Sequence, residues 1–155
     1  MFGCALESEI GGMIGYWLLK TEPDTYSFDD LVTDGTTSWD GVKNPLALKH
    51  LRSMAKGDLA LIYHSGNEKS IVGIAEIIRA PYPDPKAGNP RFVAVDIRAK
   101  SRLPKSIPLA EIKKRREFST FELVRISRLS VMPVKPELWK VLMRMADRTE
   151  NRKVR

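Results

Sequence analysis

The chain has 155 residues, 43% of them apolar, and is therefore long and apolar enough to form a single domain with a buried core. Its single cysteine, Cys4, excludes an internal disulfide and the cysteine-rich zinc motifs, and with only two histidines we expect neither a metal nor another cofactor. The net charge of +7 is unevenly distributed, because residues 98–155 contain seventeen Lys or Arg and six Asp or Glu, a net charge of +11.

The basic second half predicts a polyanionic partner, since clustered Lys and Arg side chains are typical of nucleic-acid binding. The alternative is a solvated basic surface without a partner. No apolar run is long enough to span a membrane, and the first residues lack the basic segment of a signal peptide. We therefore expect no membrane partner and a cytoplasmic location, or a nuclear one in a eukaryote. A flexible leader over 1–13, one domain over 14–146 and a charged tail over 147–155 are expected.

One strand and two helices are predicted in the first third of the chain. GYWLLK, residues 15–20, is predicted to form the first strand because aromatic and aliphatic residues dominate it. Ser27, with an acidic residue three positions later, predicts a capping box at the start of a short helix over FDDLV. Asn44 as N-cap and Pro45 as the first helical residue predict a second helix, which is expected to end at Gly57.

Strands are predicted in the middle of the chain. DLALIYH, residues 58–64, alternates with a period of two, and IVGIAEIIRA, residues 71–80, follows after a turn, so the two predict a hairpin. Gly73 in the second strand predicts a bulge or a close backbone approach. RFVAVDIRAKSRL, residues 91–103, is predicted to be the next strand.

The last third predicts mainly helix. A short helix is entered at Pro108, at most one short strand is expected within 119–134, and the final helix begins at Pro136. Strands in the middle, with helices between and after them, predict an α+β fold with a curled, mostly antiparallel sheet or a small open barrel.

The loop WDGVKN, residues 39–44, is the first candidate site. It places Trp39 in a polar loop directly before a helix whose first N–H groups lack partners within the helix. A flat ligand such as a base would stack on Trp39 while the amide of Asn44 hydrogen-bonds to the ligand's edge. The alternatives are that Trp39 turns inward as a core residue and that Asn44 only caps the helix.

Two strand ends supply further candidates. Lys20 would contact a phosphate and Glu22 would accept a hydrogen bond from an exocyclic amine; the alternative is a surface ion pair between them. Tyr63 would stack on a base, and His64 and Ser65 would donate or accept hydrogen bonds. The alternative for His64 is a hydrogen-bonded structural role. Because neighbours on a strand point to opposite faces, His64 and Ser65 do not form a catalytic pair.

Basic side chains of the second half are predicted to contact the phosphate backbone, which positions a nucleic acid without reading its sequence. Arg98, Lys100 and Arg102 alternate along a predicted strand and would form a stripe on one face. The other predicted backbone contacts are Lys113, Lys114, Arg115, Arg116 and Arg128.

Six stretches occur in one order over about residues 15–146: YWLLKTEPDTYSFDDL, WDGVKN, GDLALIYHS, IVGIAEI, PRFVAVDI and SRLSVMPV. In this order they resemble the EVE-domain proteins. The resemblance implies a PUA-like fold, a curled mixed sheet with helices around it, related to the YTH domains that read methylated adenine. It implies a non-catalytic reader of a modified nucleobase in DNA or RNA. Phe92 stands where a tryptophan is common in the family, and the proline-rich loop before it, 81–91, is shorter.

The resemblance implies a pocket between the end of the first strand, the WDG loop and the YHS strand end, which adds Thr21, Asp40 and Lys43 to the residues above. Thr21 stands where the family usually has serine and Lys43 where it usually has arginine, and lysine lacks the planar fork of arginine. Two other functions stay open. One is an RNA, tRNA or protein interaction module that ignores modification. The other is a nucleoside-directed hydrolase using His64 with Asp40 or Glu22.

Overall fold

The computed structural model describes residues 14–147 of the chain. Its strands are β1 (Tyr16–Thr21), β2 (Thr36–Trp39), β3 (Leu59–His64), β4 (Ser70–Pro83), β5 (Val93–Pro108) and β6 (Val131–Pro133). Its α-helices are α1 (Phe28–Asp34), α2 (Pro45–Arg52), α3 (Leu109–Lys113), α4 (Glu122–Arg125) and α5 (Pro136–Met145). The predicted leader, 1–13, and positions 148–155 of the predicted tail lie outside the described residues.

All six strands form one open, mixed sheet in the order β2-β5-β4-β3-β1-β6. β1 and β3 run parallel, and every other neighbouring pair of strands is antiparallel. The two longest strands, β4 and β5, shift register at several points, and such bulges bend and twist a sheet. The predicted α+β class with a curled, mostly antiparallel sheet is confirmed.

The short helix α1 is fixed by its cap at one end and by β4 beneath it. Ser27 Oγ accepts from the N–H of Asp30, whose carboxylate accepts from the N–H of Ser27, so the predicted capping box is confirmed. The Phe28 ring packs directly on the backbone of Gly73, where a Cβ would stand 2.5 Å from the ring carbons. The register of β4 with β5 also shifts between Ile71 and Gly73, so this glycine is both a close approach and part of a bulge.

Helix α2 begins as predicted and ends early. Asn44 Oδ1 accepts from the first free N–H groups of the helix, and Pro45 is the first helical residue. The predicted end at Gly57 is wrong, because the helix ends at Arg52 and the chain continues in tight turns. Met54 is buried although it lies outside the helix, so apolar spacing alone extended the prediction too far.

The sequence does not predict β2 or α4. β2 is an edge strand that pairs with β5, so the prediction of a loop at Trp39 is wrong. β4 and β5 extend beyond their predicted ends to Pro83 and Pro108, while β6, α3 and α5 lie where a short strand and two helices were predicted. None of the helices within residues 14–147 is long and apolar enough to cross a membrane.

A buried carboxylate links the start of β1 to the turn before β3. Asp58, only 5% exposed, accepts from Trp17 Nε1 at 2.9 Å and from the backbone N–H groups of Gly15 at 3.0 Å and Ala55 at 2.9 Å. Three donors converge on one side chain, which satisfies its charge without a cation. Asp58 therefore fixes the strand whose other end lines the candidate site.

Candidate functional site

A cleft of about 740 Å³ opens between the end of β1 and the edge strand β2. Three strands separate β1 from β2 in the sheet order, so these two strands line one cleft because the sheet curls. The turn before α1, the loop after β2 and two more distant side chains complete the lining. The lining residues are Lys20, Thr21, Glu22, Thr25, Tyr26, Thr37, Ser38, Trp39, Asp40, Gly41, Val42, Lys43, Lys86 and Ser130.

Trp39 forms an aromatic wall of the cleft. It is the last residue of β2 and pairs with Val95 of β5. Its half-buried indole packs against the core and meets the ring of Tyr26 edge to face, with 6.4 Å between the ring centroids and an interplanar angle of 77°. The Tyr26 hydroxyl donates to Asp34 at 2.8 Å, which holds that ring in place. Trp39 therefore combines the two roles considered from the sequence, since it supports the core and also lines the cleft.

A polar network anchors β2 beside Trp39. Ser38 Oγ donates to Asp96 Oδ1 at 3.0 Å, and the same carboxylate oxygen accepts from the hydroxyl of Tyr82. The guanidinium of Arg79 lies over the Tyr82 ring, 3.8 Å from its centroid. These contacts tie the four-residue edge strand to β4 and β5, so the position of Trp39 depends on side chains as well as on the backbone ladder.

Three polar residues at the end of β1 line the opposite wall. Lys20 Nζ donates to the carbonyl of Ser127 at 2.8 Å, and burial lowers the pKa of this ammonium group. Thr21 Oγ1 donates to a carbonyl in the turn before α1 at 2.6 Å. The carboxylate of Glu22 accepts from Ser65 Oγ at 2.7 Å. The ion pairs formed within residues 14–147 do not include one between Lys20 and Glu22, so the predicted surface pair is not formed.

A second carboxylate, Asp84, holds the loop that follows Trp39. Asp84 is 5% exposed and accepts from the N–H of Gly41 at 3.0 Å and from the N–H of Lys86 at 2.9 Å. The hydrogen bond from Gly41 is the main cause that lowers the pKa of Asp84. Lys86 Nζ also lies 3.2 Å from the carboxylate of Asp40, a second link between the β4–β5 loop and the cleft wall. Sequence reasoning missed Asp84, because no local pattern connects two loops 43 residues apart.

Six of the ten predicted pocket residues line the cleft: Lys20, Thr21, Glu22, Trp39, Asp40 and Lys43. Asn44 does not line the cleft, and its side-chain oxygen is occupied as the N-cap of α2. Tyr63 is 3% exposed within the core, so the predicted stacking role does not fit this arrangement. Ser65 does not line the cleft but donates hydrogen bonds to two residues that do, Glu22 and Thr21. The lining residues that sequence reasoning missed include Tyr26, whose only local signal is an aromatic ring within a turn.

His64 is a structural residue in this fold. Its buried Nε2 accepts from the N–H of Phe28 at 3.0 Å, so Nδ1 carries the proton that is donated to Glu68 at 2.5 Å. Neither partner is Asp40 or Glu22, so the pairing required by the hydrolase alternative is not assembled. Residues 14–147 contain no group of three His, Cys, Asp or Glu side chains placed to hold a metal ion. The cleft offers instead an aromatic wall with hydroxyl, ammonium and carboxylate groups, an arrangement suited to a flat, polar ligand.

The family profile described as EVE domain matches residues 15–145. The chain belongs to the EVE domain family. Human thymocyte nuclear protein 1 is 28% identical to it over 178 residues, with 93% of this chain and 79% of the human protein covered. A protein from Rhodopseudomonas palustris, solved by NMR, superposes with a TM-score of 0.82 at 44% identity, covering 86% of this chain and 93% of its own. Human THYN1 in complex with 5-methylcytosine-containing DNA superposes with a TM-score of 0.79 at 28% identity, covering 86% and 98%.

The side chains predicted to contact phosphates fall into separate groups on this EVE domain. Arg98, Lys100 and Arg102 border a shallow groove between β5 and α1. Within it, Arg98 pairs with Glu76 and Arg102 with Asp29, each at 2.6 Å. The remaining predicted contacts are all exposed. Four lie at or just after the end of α3, and the fifth, Arg128, lies before β6; the four are Lys113, Lys114, Arg115 and Arg116.

Proposed function

We propose that this EVE domain is a non-catalytic module that reads a modified nucleobase in nucleic acid by receiving the base in the cleft beside Trp39. The observation that carries the proposal is the cleft itself, in which a tryptophan supported by the core stands opposite a row of polar groups. The likeness to human THYN1, solved with 5-methylcytosine-containing DNA, supports a modified cytosine in DNA as the first ligand to test. A modified adenine, and RNA as the carrier, are the next ligands in the same proposal.

The energetics require both stacking and hydrogen bonding. Removing a base from a duplex costs a few kcal/mol, and stacking on an aromatic side chain returns about 1–3 kcal/mol. Hydrogen bonds to the base edge supply the rest, with Lys20 and Lys43 as donors to a ring nitrogen or carbonyl. The carboxylates of Glu22 and Asp40 would accept from an exocyclic amine. Trp39 is thus the residue on which any planar base depends, whereas the edge groups select among bases.

The proposal is tested by measuring fluorescence anisotropy at fixed salt with matched oligonucleotides. The DNA and RNA set contains unmodified, methylated and hydroxymethylated cytosine, and methylated adenine. We expect a preference for one modified base in the native protein. Trp39→Ala should weaken binding of that base by about 5- to 140-fold, the equivalent of 1–3 kcal/mol of stacking. Trp39→Phe keeps an aromatic face and should retain most of the preference, and thermal melts of both variants verify that the fold persists.

Equal affinity of the native protein for every member of the set would overturn the proposal. Such a result, combined with a steep dependence on salt, would instead favour an interaction module that binds nucleic acid without reading the modification. Preference retained in full by Trp39→Ala would also overturn the role assigned to the cleft, since the indole would then act only as a core residue.

A further inference from the structure

We propose that the groove between β5 and α1 is a phosphate-binding site, and that it holds the nucleic-acid backbone flanking the base bound in the cleft. The proposal rests on the proposed function, because the cleft defines where the strand begins. It places the basic group of β5, Arg98, Lys100 and Arg102, on the path of the nucleic acid and leaves the basic run after α3, residues 113–116, off that path. The occupant is a phosphodiester backbone, recognised by charge alone.

The groove has one basic side, on β5, and one apolar side, on α1. It has a volume of about 500 Å³, and Arg98, Lys100 and Arg102 are the charged side chains that line it in the described part of the chain. Phe28 and Val32 of α1 form the opposite side, and Val32 is 47% exposed. No acidic residue lines the groove, and its three cations outnumber the two carboxylates that pair with them, so the groove has a net positive charge that attracts anions. The aliphatic stems of long basic side chains pack well on its apolar side.

The cations in the groove are available to a ligand. The side chains of Arg102 and Asp29 are 56% and 77% exposed, and an exposed pair of this kind adds little stability. Arg98 is 55% exposed, although its partner Glu76 is only 26% exposed. A phosphate can therefore replace Asp29 as the partner of Arg102 at small cost, while the exposed part of the Arg98 guanidinium can bind a phosphate beside Glu76. Lys100 is exposed and takes part in none of the ion pairs formed among residues 14–147.

The groove adjoins the cleft at two points. Thr36 lines the groove and Thr37 lines the cleft, and the side chains of these consecutive residues leave β2 on opposite faces. Because β2 is an edge strand, a nucleic-acid strand can pass around its free edge from one site to the other. On the other side, Phe28 lines the groove and Tyr26 lines the cleft. From Thr36 to Trp39 the strand advances about 10 Å at roughly 3.3 Å per residue. Successive phosphates of one DNA strand rise about 3.4 Å along the helix axis but lie farther apart along the strand itself, so this separation spans fewer than three phosphates.

The basic run after α3 lies off this path. Lys105, Arg115 and Glu111 line a different depression of about 560 Å³, which shares no lining residue with the cleft or with the groove. Lys114 lies 3.5 Å from the carboxylate of Glu111 and Arg115 lies 3.8 Å from that of Glu117. From the sequence alone, the basic residues of β5 and the basic run after α3 are equivalent candidates for phosphate contacts. In the fold, the basic residues of β5 line the groove that shares β2 with the cleft.

The experiment compares two triple variants that each remove three positive charges. The groove variant is Arg98→Gln, Lys100→Gln and Arg102→Gln, and its control is Lys113→Gln, Lys114→Gln and Arg116→Gln. Binding of the preferred oligonucleotide is measured between 50 and 300 mM salt, and thermal melts exclude unfolding. We expect the slope of log K against log salt to become shallower by about 2.7 in the groove variant, from about 0.9 per lost phosphate contact, and by less than 1 in the control.

The ratio of affinities for modified and unmodified bases separates this proposal from the proposed function. Phosphate contacts carry no sequence information, so the groove variant should keep the native ratio while losing affinity for every oligonucleotide. A native ratio of one with a groove-specific change of slope would overturn the base reader and leave the groove standing. Equal changes of slope in the two triple variants, or no change in the groove variant, would overturn the groove.

Discussion

The substitution Asp84→Asn tests whether the wall of the cleft is held by one buried carboxylate. Asparagine keeps the shape of the side chain, but only one of its two terminal atoms accepts a hydrogen bond. One of the N–H groups of Gly41 and Lys86, now at 3.0 and 2.9 Å, therefore loses its acceptor. An amide left unsatisfied costs about 1–3 kcal/mol, and the loss of charge weakens the bond that remains. For a domain of this size we expect the melting temperature to fall by about 2–12 °C.

The pH dependence of this effect has a definite sign. The pKa of Asp84 in the folded protein is lowered, mainly by the hydrogen bond from Gly41, whereas in the unfolded chain it is about 3.9. The stabilisation is therefore complete above about pH 4 and disappears as the pH falls through the lower, folded pKa. Free energies of unfolding are measured in urea at pH 7, 5, 4 and 3 for native and Asp84→Asn protein. The difference between the two proteins should stay constant from pH 7 to about pH 4. The difference should then narrow below pH 4.

Under the proposed function, Asp84→Asn should also weaken binding of the preferred oligonucleotide, because Gly41, which Asp84 holds, lines the cleft. The control is Glu137→Gln, which removes one negative charge at an exposed position of α5. Binding of the preferred oligonucleotide should fall in the first variant and stay unchanged in the second. The reasoning is refuted by a native stability in Asp84→Asn at pH 7, or by a difference that persists undiminished at pH 3.

Two further substitutions test the supports beneath the cleft. Gly73→Ala places a methyl group 2.5 Å from the ring carbons of Phe28, so we expect about 1–3 kcal/mol of destabilisation in urea. An unchanged free energy of unfolding would show that Phe28 moves freely. Asp58→Ala leaves the Trp17 indole and two backbone amides without their acceptor and should cost about 2–5 kcal/mol, with a change in tryptophan fluorescence. Asp58→Asn, which retains an acceptor, should lose less, and an equal loss in both variants would argue against a hydrogen-bonding role.

Signals that involve only near neighbours in sequence predict this structure well. The capping box at Ser27 and the N-cap at Asn44 each depend on residues two or three positions away, and both are confirmed. The edge strand β2 has only four residues, and its partners in β5, such as Val95 for Trp39, lie more than fifty positions later. A strand so short has no measurable period of its own, which explains the incorrect prediction of a loop.

The candidate site is predictable only in part, because alternation along a strand does not reveal which face stays open. The pattern of 58–64 places Tyr63 and His64 on opposite faces, and the structure buries both. β3 lies between β1 and β4 inside the sheet, and five of its six residues are buried, so residues on both of its faces are shielded from solvent. The end of β1 and the loop after Trp39 stay accessible because they lie where the sheet curls open.

The width of the cleft depends on contacts outside the hydrogen-bonded ladder between strands. β1 and β2 face each other with three strands between them in the sheet, and across the cleft the rings of Tyr26 and Trp39 are in contact. The β4–β5 loop sets how far β2 can move, since the N–H of Asp84 donates to the carbonyl of Phe92 at 2.8 Å while its carboxylate holds the opposite loop. A change in the length of this loop would move one wall without disturbing the core. The loop between Pro83 and Val93 is therefore a place where the width of the cleft can change within one fold.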